Sequence, residues 1–362
     1  MRVTELAKRI PALPPELFAP RNASRIFISG HSLVDQPLPN YVAAIGRSLG
    51  HSIEWNRQYI VGSAIARRTH GPDRSASEWS GYRDGDNRDG AGLDVLGELR
   101  DPKTIEGGRY DVLLITEQHG LLGTLIWNDT VKYLRHYHDR MIEANPAATT
   151  YFYESWISLD DKNDPRRWIE YERKMSPLWQ CIATRVNLAL EAEGRRDRIV
   201  SLPAGLALAA LIEQATSGAG LPGLTASTRR TTIDSLIQDA VHLTDLGSYY
   251  MALVTFASIH HHRPVSAWAP EGVAEQTSTT LQAFAWDFVR NYYASYSPIS
   301  LAECRKRLDA GLIEHYWAYM RDAYWKADEG LIRAQLRYMR QTLEWRYRLS
   351  RHDGRNPFHF DP

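Results

Sequence analysis

Apolar residues fall along this chain in two kinds of run. Short, nearly continuous runs predict strands: Ile26-Phe27-Ile28-Ser29, Ser52-Ile53-Glu54-Trp55, Thr149-Thr150-Tyr151-Phe152-Tyr153 and Arg198-Ile199-Val200-Ser201-Leu202. The clearest is Asp111-Val112-Leu113-Leu114-Ile115-Thr116, an unbroken apolar run suited to a central parallel position. Between them the spacing becomes helical. Tyr41, Val42, Ile45 and Leu49 share a face that stops at Gly50, and Val131, Leu134, His138, Met141 and Ile142 share another. That second helix has Asp129 as a candidate N-cap and Asn145-Pro146 as its stop. Residues 166–193 predict a third helix, interrupted by Pro177. Strands alternating with helices predict an α/β fold, with a mostly parallel sheet covered on both faces in three α/β/α layers.

Two stretches depart from this alternation. Residues 67–94 carry many glycines and aspartates without periodicity and predict a long surface loop. Its Asp84-x-Asp86-x-x-Asp89 run lacks the closing glutamate of an EF-hand loop, so no metal is expected there. Beyond His260-His261-His262-Arg263-Pro264 the strands cease. Residues 271–293, 301–308, 311–326 and 330–348 all predict helices rich in arginine and aromatics. The chain thus divides into a lead-in (1–23), an α/β domain (24–264) and a helical extension (265–362). Stripes such as Phe284, Phe288 and Tyr292, or Ile313, Trp317, Met320 and Tyr324, must be buried somewhere. With Arg321, Arg333, Arg337 and Arg340 among them, they predict a homodimer interface or a wall of the site cleft.

Composition narrows the function classes. Lysine plus arginine and aspartate plus glutamate both number 43, so formal charge is zero and neither nucleic acid nor a membrane is an expected partner. No run is long and apolar enough to suggest a signal peptide or a membrane span, and a cytoplasmic location is the expectation. Two cysteines, Cys181 and Cys304, make no framework and are expected as buried free thiols. The 11 tryptophans and 19 tyrosines suit carbohydrate-facing clefts, but they suit helix packing better. The consecutive histidines at 260–262 have no neighbouring carboxylate or cysteine cluster, so neither metal nor cofactor is expected.

The candidate chemistry sits at two distant points. Gly30-His31-Ser32-Leu33 follows the first strand and precedes a helix, as an α/β enzyme presents a nucleophile at the carboxyl edge of its sheet. About 200 residues later comes Asp239-Ala240-Val241-His242, closely followed by a helix start. A serine hydroxyl needs a base within hydrogen-bond reach, and an aspartate three residues before a histidine can fix its tautomer. Residues 24–260 resemble the SGNH (GDSL-type) hydrolases, whose serine lies in an early G-D-S block and whose acid and base come late as D-x-x-H. Here His31 replaces the family's aspartate. The resemblance implies a flavodoxin-like SGNH fold and a serine esterase, with Ser32 as nucleophile, His242 as base and Asp239 as its partner. It also implies an oxyanion hole from the backbone N–H groups of Ser32 and Gly62. The family's third donor is an asparagine in G-x-N-D. This chain has Thr116-Glu117-Gln118-His119-Gly120 instead, so Gln118 is the candidate, with His119 or Asn128 as alternatives.

The expected substrate is a small-molecule or carbohydrate acyl ester, for instance an O-acetylated sugar. An O-acyltransferase using the same residues, or a non-catalytic binding module on this fold, would share the motifs.

Overall fold

The structure, a computed structural model, describes residues 9–359 apart from 74 and 78. Five parallel strands form one sheet in the order β2-β1-β3-β4-β5. They are β1 (Ala23–Gly30), β2 (Ser52–Tyr59), β3 (Val112–Thr116), β4 (Thr149–Tyr153) and β5 (Ile199–Leu202). This is the order of flavodoxin-like sheets, in which the chain reverses direction across the sheet between β1 and β3. Every residue of β3 is buried, as its unbroken apolar run requires of a strand covered on both faces.

Helices fill the two outer layers. Between the strands lie α1 (Leu38–Ser48), α2 (Ile65–Thr69), α3 (Val95–Arg100), α4 (Leu121–Trp127), α5 (Thr130–Ala144) and α6 (Arg166–Ala192), and after β5 come α7 (Ala204–Thr216), α8 (Arg229–Asp234) and α9 (Asp245–His260). One face carries α9, in contact with both α1 and α7, and on the other α5 packs against α2, α3 and α6. The fold is therefore three-layer α/β/α with helices appended. Among the described residues no helix is long and apolar enough to cross a membrane.

The appended helices are α10 (Glu275–Ser295), α11 (Leu301–Arg307), α12 (Ile313–Met320), α13 (Lys326–Glu329) and α14 (Leu331–Ser350). They fold back on the core: α10 lies on α9 and α7, while α11 and α12 lie on α6. Most of their aromatics pack inward; Tyr316, Trp317, Tyr319, Trp325 and Trp345 are all buried. Gly311, at φ 99°, separates the helices expected over 301–308 and 311–326, and the second of these includes a π-helical turn, Arg321–Trp325.

Some local expectations need correction. Cys181 and Cys304 are not free thiols but a disulfide joining α6 to α11, with Cα atoms 5.8 Å apart across 123 residues. Their sequence positions could not show that the extension returns to α6. Pro177 does not interrupt α6, which runs straight through it. β2 runs four residues beyond its apolar part, because the amides of Asn56 and Gln58 find buried partners. Gln58 Nε2 donates to the carbonyls of Arg68, Gly81 and Asp84, which ties down the 67–94 segment expected as a surface loop. Asp129 occupies the N-cap position of α5 in a left-handed conformation; its carbonyl accepts the Tyr133 N–H, but its side chain does not cap the helix.

Candidate active site

β1 ends at Gly30, and the chain turns at once into a single 3-10 turn, Ser32–Val34. Glycine is needed at position 30 because a Cβ there would lie 2.0 Å from Val34 Cγ2. His31 caps the turn: its Nδ1 accepts the Leu33 N–H at 3.4 Å, so Nε2 carries the proton it donates to the Glu117 carbonyl at 3.1 Å. Burial, helped by the nearby Arg68 charge, pushes the His31 pKa down to about 3, so the ring is neutral. It therefore does a neutral capping and anchoring task. Ser32, half-buried, is left pointing beyond the sheet edge.

The second half of the site is a tight loop closed by a bridge between Ile237 and Leu243 and by Gln238 N–H on the His242 carbonyl at 2.8 Å. Asp239 organises it. Its Oδ1 accepts the N–H groups of Val241 at 2.7 Å and His242 at 2.8 Å, and Oδ2 takes the His242 ring at Nδ1, also 2.7 Å away. Partial burial works against the Asp239 charge. The ring and backbone donors outweigh that and hold its pKa down to about 2. Just after the loop, Thr244 caps α9 by accepting the Gly247 N–H. Gly247 is glycine for a steric reason, since a Cβ would lie 2.1 Å from the Leu236 carbonyl oxygen.

The two halves meet. His242 Nε2 lies 3.1 Å from Ser32 Oγ, so serine, histidine and aspartate form a continuous relay. With Nδ1–H held by the carboxylate, Nε2 is bare and can accept the serine proton. The relay is open to solvent: the His242 and Asp239 side chains are 46% and 55% exposed.

The other predicted residues stand at the same edge. Gly62 follows β2, whose end is tied to β1 by Ile60 N–H on the Gly30 carbonyl at 3.2 Å. Its φ of 59° is what requires glycine, as no atom lies within 4 Å of a Cβ there. Among the described residues, the N–H groups of Ser32 and Gly62 make no backbone hydrogen bond. Gln118 follows β3, beside β1; its backbone N–H donates to its neighbour's Glu117 Oε1 and its side chain is half-buried. His119 is close enough to feel a His242 charge, and burial followed by that charge lowers its pKa. Asn128 lies at the far end of α4, as its C-cap, and does not cap α5.

Sequence reasoning missed the polar floor beneath these groups. Arg68, buried, donates from Nε to Ser29 Oγ at 2.9 Å, from Nη1 to both oxygens of Ser63, and from Nη2 to the Thr116 carbonyl. It thereby clamps β1, the β2–α2 turn and β3 together just below Ser32. Burial lowers its pKa to about 10, still well above neutrality. The buried Glu117 carboxylate accepts from Ile65 N–H, Gln118 N–H and Thr130 Oγ1, fixing the backbone at Ile65 and Gln118. Burial raises its pKa, opposed by the Arg68 charge. Glu117 stood inside the Thr116–Gly120 motif, but nothing in residues 67–94 singled out Arg68.

The acid–base loop is also braced from outside. Trp156 Nε1 donates to the Val241 carbonyl at 2.8 Å and Leu159 N–H to the Ala240 carbonyl at 2.7 Å. The same segment is held by the extension: Tyr319 OH donates to the Ser158 carbonyl at 2.7 Å, and Tyr324 OH accepts the Ser158 N–H at 3.2 Å. Two of the consecutive histidines anchor the chain before β1. His260 bonds the Arg21 carbonyl and Ser24 Oγ, and His261 the Leu17 carbonyl. Among the described residues no group of three or more histidines, cysteines or carboxylates could hold a metal ion.

No protein-family model matches the chain, and no curated protein matches it. A crystal structure of a DUF4886 family protein from Bacteroides uniformis ATCC 8492 is similar, with a TM-score of 0.51 at 16% identity. The similarity covers 76% of this chain and 98% of that one, and it bears on the fold.

Proposed function

We propose that this protein is a serine esterase of the SGNH type, hydrolysing an acyl ester through an acyl-enzyme on Ser32. The observation that carries this reading is the unbroken relay of Ser32 Oγ, His242 and Asp239 at the carboxyl edge of the sheet. In the proposed cycle Ser32 Oγ adds to the ester carbonyl while His242 Nε2 takes its proton. Collapse breaks the ester C–O bond, and His242 returns the proton to the departing alcohol. A water then repeats the sequence on the acyl-enzyme, releasing the acid. The N–H groups of Ser32 and Gly62, with the Gln118 amide, are the proposed donors to the oxyanion.

The exposure of His242 favours hydrolysis over transfer to a sugar hydroxyl, because an acyltransferase must keep water from its acyl-enzyme. The acyl group is proposed to be small, as an acetyl is, and the alcohol a carbohydrate. The buried aromatics of the extension lend that last point no support, since they serve packing. A disulfide persists in oxidising compartments. The Cys181–Cys304 pair therefore favours such a location over the cytoplasm.

The test is labelling with a fluorophosphonate probe together with hydrolysis of short aryl esters. Ser32→Ala should lose both. Labelling that persists in Ser32→Ala would move the nucleophile elsewhere. A wild-type protein inert to probe and esters alike would favour a non-catalytic binding module.

A further inference from the structure

α14 has two apolar faces. One holds Ala334, Trp345 and Leu349 against the rest of the chain. The other faces outward with Ile332, Leu336, Met339, Leu343 and Tyr347, each between 51% and 79% exposed. Their spacing of four, three, four and four residues keeps all five within a narrow stripe along one side of the helix, four turns long. Such spacing is the seam along which two helices pack. The chain itself gives no reason for it, because a helix already seated by its inner face gains nothing from large apolar side chains in water.

We propose that this outer stripe of α14 is a homodimer interface, paired with the same stripe of a second copy across a two-fold axis. Area supports that occupant. At on the order of 100 Å² exposed per side chain, five residues offer about 500 Å² per copy, and a pair with its flanking residues buries about 1,200 Å², the lower bound of a specific interface. Contiguous exposed apolar patches of this size mark interaction sites. Composition agrees, since methionine, tyrosine and flanking arginine are enriched at interfaces, and most soluble oligomers are two-fold dimers. Arg333 and Arg340 border the stripe and make no ion pair among the described residues. At the rim they stay hydrated, and their mutual repulsion across the axis is screened by salt.

That repulsion separates the two obvious occupants. A dimer with like charges at its rim tightens as salt rises, whereas attraction of the same arginines to an anionic lipid surface weakens. The experiment is sedimentation equilibrium of the full chain from about 1 to 100 µM, at 50 and 500 mM salt. Wild type is expected to dimerise, at least as tightly in the higher salt. Leu336→Glu with Leu343→Glu, both outward-facing and so harmless to folding, is expected to stay at the monomer mass of 41.3 kDa. Circular dichroism and melting matching wild type show that the variant is folded. Met339→Cys, whose new thiol is unpaired because both native cysteines are joined, is expected to give a reducible dimer. A wild type monomeric throughout, a double variant that still dimerises, or a monomer that binds anionic vesicles through this stripe would each overturn the proposal.

Discussion

Replacing His31 by glutamine tests how the site is built. The His31 ring is buried, neutral and committed at both nitrogens, with a folded pKa of about 3 against 6.5 for a free histidine. Its folded pKa is depressed, so the unfolded chain binds the extra proton first. Stability is therefore full above about pH 6.5 and is lost as pH falls towards 3. At 1.36 kcal/mol per pH unit, the 1.5 units between 6.5 and 5 correspond to about 2 kcal/mol lost at pH 5, and at pH 4 to about 3 kcal/mol. Glutamine has no proton to gain, and its amide can still donate to the Glu117 carbonyl. Urea unfolding at pH 7 and pH 5 gives the loss for each protein. His31→Gln should lose about 2 kcal/mol less than wild type over that interval, whatever its stability at pH 7. His136 and His260, whose burial lowers their pKa values to about 4, titrate in both proteins and cancel in the difference. An equal loss in the two proteins would show that His31 is not held neutral, and the capping assignment would fail.

Two further outcomes follow from the relay. Asp239→Asn removes the charge that orients His242 and should lower kcat/KM by about 10³–10⁴-fold while sparing the fold, checked by ester hydrolysis alongside circular dichroism. In wild type, the Asp239 pKa of about 2 means that its charge is lost only as pH falls through that value, so it should not limit activity above about pH 4. Tyr319→Phe with Tyr324→Phe releases the Ser158 brace behind the acid–base loop. We expect kcat to fall by roughly 10-fold, with KM and melting temperature little changed. An unchanged kcat would leave those hydroxyls with no positioning role.

The local elements were largely legible in the sequence because each reflects a short-range rule. The apolar run at 111–116 can only be a covered strand, so the strand positions and the α/β class follow from it and its fellows. Ser32, Asp239 and His242 could be picked out because each lies beside a turn or helix start with its own local signature, and Asp239 reaches His242 within one loop. What stayed hidden depends on contacts between distant residues. Gln58 looks like a loop residue until its amide is seen holding three carbonyls of the 67–94 segment. Arg68 has no sequence signature, because its partners Ser29, Ser63 and Thr116 come together only when β1, β2 and β3 are side by side. Cys181 and Cys304 read as two isolated thiols, and a sequence separation of 123 had to be closed by folding before α11 met α6. The outward stripe of α14 could be read as apolar from its spacing, but periodicity shows only that a helix has such a face. Which side turns inward was decided by Trp345 and Ala334 finding the rest of the chain, and that left Leu336 and Leu343 in water.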